Sequence, residues 1–203
     1  SLPPAGTRFQ YTGPVTSGAT LGAWSHTPLD AGSRFRQANW QLRRWTLELS
    51  YREDLPSLDQ AQAELHRWQA DEQAAHEKGD LQRARDSRAL AERMTRIVNR
   101  LVNLPPGNTF PLPITLWRIG DAFWLAVEGE HYNLLQRSLR ERFCGVPIIV
   151  ATLTNGARPT YLPNKETYGK GIYQETIALL APGSLERLIE AIGEELGIWK
   201  SEE

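Results

Sequence analysis

Two polar clusters in the second half of the chain contain the residue types that hydrolytic metal sites use. The first, Glu130-His131-Tyr132, follows the apolar run at 122–127 and opens an amphipathic helix. The second, at 155–161, follows the next buried strand and ends at Tyr161, with Tyr173 further along. Carboxylate and phenol oxygens coordinate metals or stabilise developing oxyanions. The sequence therefore predicts part of an active site, but it does not offer a complete one.

Glu130 is the leading candidate because loops after the carboxyl ends of strands are where α/β proteins usually place function. Its carboxylate is also expected to face the positive end of the following helix. Two alternatives remain open: Glu130 caps that helix and pairs with Arg137, or Glu128, on the same side of an alternating strand, takes the role. Tyr161 is a candidate for a metal ligand or an oxyanion donor, or its ring packs under a loop; the same packing interpretation applies to Tyr168 and Tyr173.

The remaining residue types do not complete a known catalytic motif. The four histidines form no H-x-H or H-E-x-x-H pattern, and a zinc site commonly takes three or four protein ligands. No G-x-S-x-G motif supports a serine nucleophile, and the one cysteine, Cys144, excludes an internal disulfide. A net charge of -1 argues against nucleic acid as the main partner. No apolar run is long enough for a transmembrane segment, and no signal peptide is visible.

The elements that position these residues fall into three regions. Residues 1–56 are rich in Gly, Pro, Ser and Thr, which predicts an irregular segment with one strand, Trp45–Tyr51, joining the core. Residues 57–104 predict an antiparallel helical hairpin that Ser57 or Asp59 opens, with a break at Gly79 and a new cap at Asp80.

Residues 105–203 predict an α/β core that forms part of a larger catalytic domain. Strands at 112–119 and 122–127 flank a two-residue turn, and a helix at 132–143 follows. The apolar run 146–153 predicts a strand buried on both faces, and Ser184 begins a last helix. The predicted fold class is therefore a mixed α/β sheet with flanking helices, plus a long helical hairpin.

Three parts of residues 112–197 together resemble the neutral/alkaline non-lysosomal ceramidase-like family. These are a strand, the pair Gly129-Glu130 and a helix with two arginines; a buried strand leading to Asn155-Gly156 and Tyr161-Leu162-Pro163; and the spacing of Tyr161, Tyr168 and Tyr173. The resemblance implies a zinc-dependent amidase that acts on a lipid-like amide, with an extracytoplasmic location. It places Glu130 and Tyr161 as metal ligands and Tyr173 facing the reacting carbonyl.

The chain departs from that family in ways that bear on function. Glu128 stands where the family has proline, Gln174 stands where it has glutamate, and the upstream histidine motifs that complete the zinc site are absent. Three interpretations follow: the chain is the C-terminal portion of a longer hydrolase, it completes a site with a companion chain, or its site is inactive. The alternative function is a non-catalytic interaction module that uses the hairpin on an α/β scaffold.

Overall fold

The computed structural model describes residues 6–15 and 22–201. The elements in chain order are β1 (Thr7–Pro14), β2 (Gly22–Pro28), α1 (Ala31–Ala38), β3 (Trp40–Ser50), α2 (Leu58–Glu77), α3 (Leu81–Val102), β4 (Thr109–Ile119), β5 (Ala122–Val127), β6 (Glu130–His131), α4 (Leu134–Arg142), β7 (Ile148–Ala151), β8 (Tyr161–Leu162), a 3-10 turn at Lys165–Thr167, α5 (Tyr173–Ile177) and α6 (Ser184–Ser201). This arrangement confirms the predicted fold class.

The central sheet has the strand order β3-β4-β5-β7, antiparallel except for the last pair. Every second side chain of β4 points to one face, where a core forms against α4 and α6; buried members include Phe110, Leu125, Leu139, Leu188 and Ile192. The alternating pattern of β4 therefore gives one strongly apolar face, as the period of two requires. The predicted hairpin between β4 and β5 is confirmed, and Gly120 in its turn has φ +62°.

The helical hairpin is also confirmed, since α2 and α3 pack against each other. Ser57 and Gln60 form a reciprocal capping box at the start of α2, and Asp80 accepts from the Arg83 backbone N–H at the start of α3. Small residues fill the seam, including Ala61 and Ala84, so the two backbones approach closely. None of the described helices combines the length and apolar character that crossing a membrane requires.

Two expectations about strands are wrong. The described part of residues 1–39 is not irregular: it contains the β1–β2 hairpin and α1, and aromatic pairs such as Tyr11–Trp24 cross the two strands. The run at 146–153 is not buried on both faces, because β7 is an edge strand of the sheet and Ile149 remains 43% exposed.

Candidate functional site

The first candidate ligand, Glu130, lies in a two-residue strand that pairs with the two-residue strand containing the second candidate, Tyr161. β6 and β8 run parallel, and Glu130 and Tyr161 are direct partners in the register. The Glu130 backbone N–H donates to the Thr160 carbonyl at 2.8 Å, which fixes the pairing. Residues directly opposite in a ladder point to the same face, so the carboxylate and the phenol lie side by side.

Tyr173 reaches the same place from the start of α5. Its ring centroid lies 6.2 Å from that of Tyr161, in an edge-to-face arrangement with an interplanar angle of 68°. The Thr160 hydroxyl donates to the Ile177 carbonyl at 2.9 Å and so ties α5 to the loop. The structure therefore brings together all three residues that the sequence singles out.

These residues line an open cavity of about 210 Å³. Its lining comprises Arg100, Glu130, Leu153, Ala157, Thr160, Tyr161, Tyr173 and Ile177. Arg100 comes from the last turn of α3, so the helical hairpin contributes to the site. Sequence reasoning missed Arg100, because no local pattern indicates that the end of α3 meets a loop some sixty residues later.

The environment of Tyr161 favours a neutral hydroxyl. Partial burial raises the pKa of Tyr161, and the negative charge of Glu130 raises it further, with smaller contributions from Tyr173 and from a hydrogen bond to Glu130. A protonated phenol next to a carboxylate is a hydrogen-bond donor. A cation held between the two oxygens would favour the opposite protonation state, because opposite charge stabilises the phenolate.

The structure separates Glu128 from Glu130, which the sequence could not do. The side chain of Glu128 is 1% exposed and accepts three hydrogen bonds from Arg158: from the backbone N–H at 3.0 Å, from Nε at 2.8 Å and from Nη2 at 2.7 Å. Gly129, with φ +93°, breaks the strand alternation between the two glutamates, so Glu128 points inward and Glu130 outward. Arg137 pairs with Glu141 at 3.7 Å, not with Glu130.

The loop between β7 and β8 adopts an uncommon backbone conformation. Leu153, Asn155 and Thr160 all have positive φ, at 57°, 65° and 59°. Left-handed conformations at non-glycine residues cost free energy and concentrate at functional sites. At Gly156, with φ +149°, an added Cβ would lie 2.6 Å from Glu128 Oε1. The ion pair between the buried Glu128 and the half-exposed Arg158 therefore holds the loop that presents Tyr161.

Tyr168 has a structural role. Its hydroxyl donates to the Leu180 carbonyl at 2.8 Å, and burial raises its pKa to about 12, against the opposing charge of Arg52. The Glu175 carboxylate accepts from the backbone N–H groups of Gly169 and Gly171, each at 2.6 Å, and so closes the turn that precedes Tyr173. These contacts position the site without entering the cavity.

The histidines do not supply the missing ligands. His131 alternates with Glu130 on β6, and both of its ring nitrogens are buried without a hydrogen-bond partner. Burial lowers its pKa to about 4; the Gly129 backbone acts in the opposite direction but makes no hydrogen bond of ordinary geometry with the ring. His66 and His76 are exposed on the hairpin. Across residues 6–15 and 22–201, no group of three or more His, Cys, Asp or Glu side chains is arranged to hold a metal.

Comparison with known proteins gives limited similarity. No family model and no curated protein matches the chain. Two similar solved structures are the neutral ceramidase from Pseudomonas aeruginosa (19% identity, TM-score 0.36, 40% of this chain) and a ceramidase complexed with C2 (17%, 0.36, 42%). The chain spans 14% of either ceramidase. A likeness of this size assigns no function to the chain.

Proposed function

We propose that this chain is the C-terminal portion of a ceramidase-like, zinc-dependent amide hydrolase, in which Glu130 and Tyr161 are metal ligands and Tyr173 acts on the reacting carbonyl. The observation that supports the proposal is the register of β6 and β8, which sets Glu130 beside Tyr161 with Tyr173 at the same cavity. Glu130 and Tyr161 are oxygen donors of the kind that a metal site uses, and Tyr173 has a hydroxyl that can donate to an oxyanion. Their convergence from three separate elements supports a common role.

The donor set fits part of a zinc site. A carboxylate and a phenol are both oxygen ligands that a hard or borderline cation accepts. Among the described residues, no Asp, Glu, His or Cys other than Glu130 lines the cavity. The upstream part of the same protein or a companion chain would provide the remaining ligands, so this chain alone is expected to bind zinc weakly or not at all.

The reaction adds water across an amide C–N bond and gives a carboxylic acid and an amine. When bound, zinc would supply an acidified water and polarise the carbonyl. Glu130 and Tyr161 would hold the ion from one side of the cavity. The hydroxyl of Tyr173, which is 66% exposed at the cavity edge, would donate a hydrogen bond to the oxyanion that develops on the carbonyl oxygen.

Zinc content and amide hydrolysis of the complete protein test these roles separately. Glu130→Gln and Tyr161→Phe should lower the zinc content measured by elemental analysis, because each removes a ligand atom. Tyr173→Phe should keep zinc and lose about 10²–10³ in kcat, as expected for a lost oxyanion donor. Glu166→Gln is the matched control, because Glu166 is exposed and lies outside the cavity.

Normal zinc content and normal hydrolysis in the three site variants would refute the assignment. Stoichiometric zinc retained by this chain after dialysis against a chelator would refute the proposal that the chain holds only part of the zinc site. Similar effects of Tyr161→Phe and Tyr173→Phe on zinc content would remove the distinction between ligand and oxyanion donor.

A non-catalytic interaction module is the second candidate, and an exposed apolar face of the central sheet favours it. Leu42, Trp117, Trp124 and Ile149 are consecutive partners across all four strands, on the face opposite α4 and α6. Leu42 and Trp124 are 50% and 42% exposed. Apolar stripes of this kind commonly mark contact surfaces with another protein segment. The interaction surface would therefore be the sheet, not the hairpin.

Trp124→Ser discriminates between the two candidates. In either case it should cost this chain some stability, because more than half of the Trp124 side chain is covered, so circular dichroism must show that the variant is folded. If the sheet face binds the part of the hydrolase that completes the site, the variant should lose zinc in the complete protein. If the chain is a module without chemistry, the variant should lose a protein partner, and the complete protein should hydrolyse no amide.

A further inference from the structure

Arg100 is a positive charge at the candidate site that has no ion-pair partner among the described residues. It is half-buried in the last turn of α3 and lines the cavity that contains Glu130, Tyr161 and Tyr173. Within the part of the chain that the structure describes, its guanidinium makes no hydrogen bond and no ion pair. A partly desolvated cation without a partner carries a free-energy cost that an anionic ligand would offset.

Two carboxylates share a cavity with Arg100, and neither forms an ion pair with it. Arg100 also lines a neighbouring cavity with Asp54, but Asp54 pairs with Arg52 at 2.5 Å. Glu130 lies beside Tyr161. Burial lowers the pKa of Arg100, as does the charge of Arg96, while Tyr173 acts in the opposite direction. Arginine nevertheless stays protonated at neutral pH, so Arg100 keeps its positive charge in the cavity.

The size of the cavity indicates which half of an amide it would hold. At about 210 Å³ it is smaller than the roughly 300–1,000 Å³ of sites that enclose a whole ligand. The part of the site that this chain provides therefore holds one end of the amide, and the charged wall that Arg100 gives it suits a small polar amine better than an acyl chain. A guanidinium fork binds carboxylates and phosphates through two parallel hydrogen bonds.

We propose that Arg100 determines the specificity of this site by binding an anionic group, a carboxylate or a phosphate, on the amine half of the amide substrate. The inference rests on the proposed function where it calls the bound molecule a substrate, but the binding of the anion itself does not depend on catalysis. It makes the helical hairpin part of the recognition surface. It also sets the preferred ligands apart from neutral lipid amides.

Three N-lauroyl amides of glycine, phosphoethanolamine and ethanolamine test the proposal on the complete protein. They share the acyl chain and differ in whether the amine half carries a carboxylate, a phosphate or no charge. Calorimetry gives their affinities, and amine release gives kcat/KM. Arg100→Gln should weaken binding of at least one anionic probe about ten-fold or more, with a change of less than about two-fold for the ethanolamine probe.

Two further variants act as controls. Arg96→Gln removes an exposed arginine one turn earlier on α3 that does not line the cavity, and it should leave all three affinities nearly unchanged. Arg100→Lys keeps the charge and the helix end but removes the fork, so an intermediate affinity for the anionic probes is expected. Circular dichroism of each variant checks that the hairpin is folded.

Equal weakening of charged and neutral probes by Arg100→Gln, or the same weakening by Arg96→Gln, would overturn the inference. Hydrolysis of all three amides without dependence on Arg100 would refute the inference but not the proposed hydrolase function. Arg100-dependent binding of an anionic probe without any hydrolysis would retain the anion site and reject the hydrolase.

Discussion

The buried pair of Glu128 and Arg158 provides a quantitative test of how the site loop is held. Arg158→Met removes two of the three hydrogen bonds to the Glu128 carboxylate and leaves the bond from the backbone N–H. Because the Glu128 side chain is 1% exposed, water does not replace the lost donors. Removing one partner of a fully buried ion pair typically costs about 3–5 kcal/mol; because the Arg158 side chain is 45% exposed and the backbone bond remains, we expect about 2–3 kcal/mol for this variant.

Changing the other partner, Glu128→Gln, should lower the free energy of unfolding by less. Glu128→Gln keeps the shape of the side chain, and the guanidinium it leaves behind belongs to a side chain that is 45% exposed and can be hydrated. A neutral acceptor in place of a charged one costs about 1–2 kcal/mol at such a half-exposed site. Because the two residues share one interaction, the effects should not add, and the coupling free energy should be about 1–2 kcal/mol.

Urea unfolding of the two single variants and the double variant, followed by far-ultraviolet circular dichroism, measures these free energies. Glu130→Gln is the matched control: Glu130 is an exposed glutamate two residues away, so its variant should stay within about 0.5 kcal/mol of the parent. Equal costs for Arg158→Met and Glu128→Gln, or additive effects in the double variant, would show that the pair does not hold the loop in the way that burial implies.

Three further changes test other parts of the structure. His131→Phe should remove a pH dependence of stability. The folded pKa of His131, about 4, lies below its unfolded value, so the unfolded state takes up a proton first as pH falls from about 6.5 toward 4. In urea unfolding, the free energy of unfolding of the parent should therefore fall by up to about 3 kcal/mol across this range, and that of the variant should not. Met94→Asp buries a charge in the hairpin seam and should cost about 3 kcal/mol or more, whereas His66→Ala on the exposed face should be silent in thermal unfolding. Gly156→Ala should cost about 1–3 kcal/mol in urea unfolding, since its Cβ meets the Glu128 carboxylate; a neutral result there would contradict the close approach.

The elements that the sequence predicted best are those with local causes. Ser57 and Asp80 each accept a hydrogen bond from a backbone N–H three residues later, which a sequence pattern reveals directly. The β1–β2 hairpin was missed because glycine, proline and threonine dominate its composition. The period-two signal was nevertheless present in Phe9 and Tyr11, whose rings contact residues of the facing strand.

The candidate site was only partly predictable because its geometry depends on contacts between distant segments. The residue types pointed to Glu130, with Glu128 as its alternative, and to Tyr161, whereas only the family resemblance set Tyr173 apart from Tyr168. A two-residue ladder such as β6–β8 has too few positions to show a period, so the sequence did not reveal that Glu130 and Tyr161 are neighbours. Arg100 enters from the hairpin, and nothing near it in the chain indicates that position.

The contrast between Glu128 and Glu130 shows how one backbone angle gives two neighbouring glutamates different surroundings. An uninterrupted strand would point both carboxylates to the same side, where they would repel each other and compete for Arg158. Gly129 has φ +93°, and an added Cβ there would lie 2.7 Å from Pro159 Cγ, so both the conformation and the close approach require glycine. The change in strand direction at Gly129 points Glu128 inward, where Arg158 neutralises its charge and fixes the loop. It turns Glu130 outward, beside Tyr161, where its oxygens stay available to a ligand.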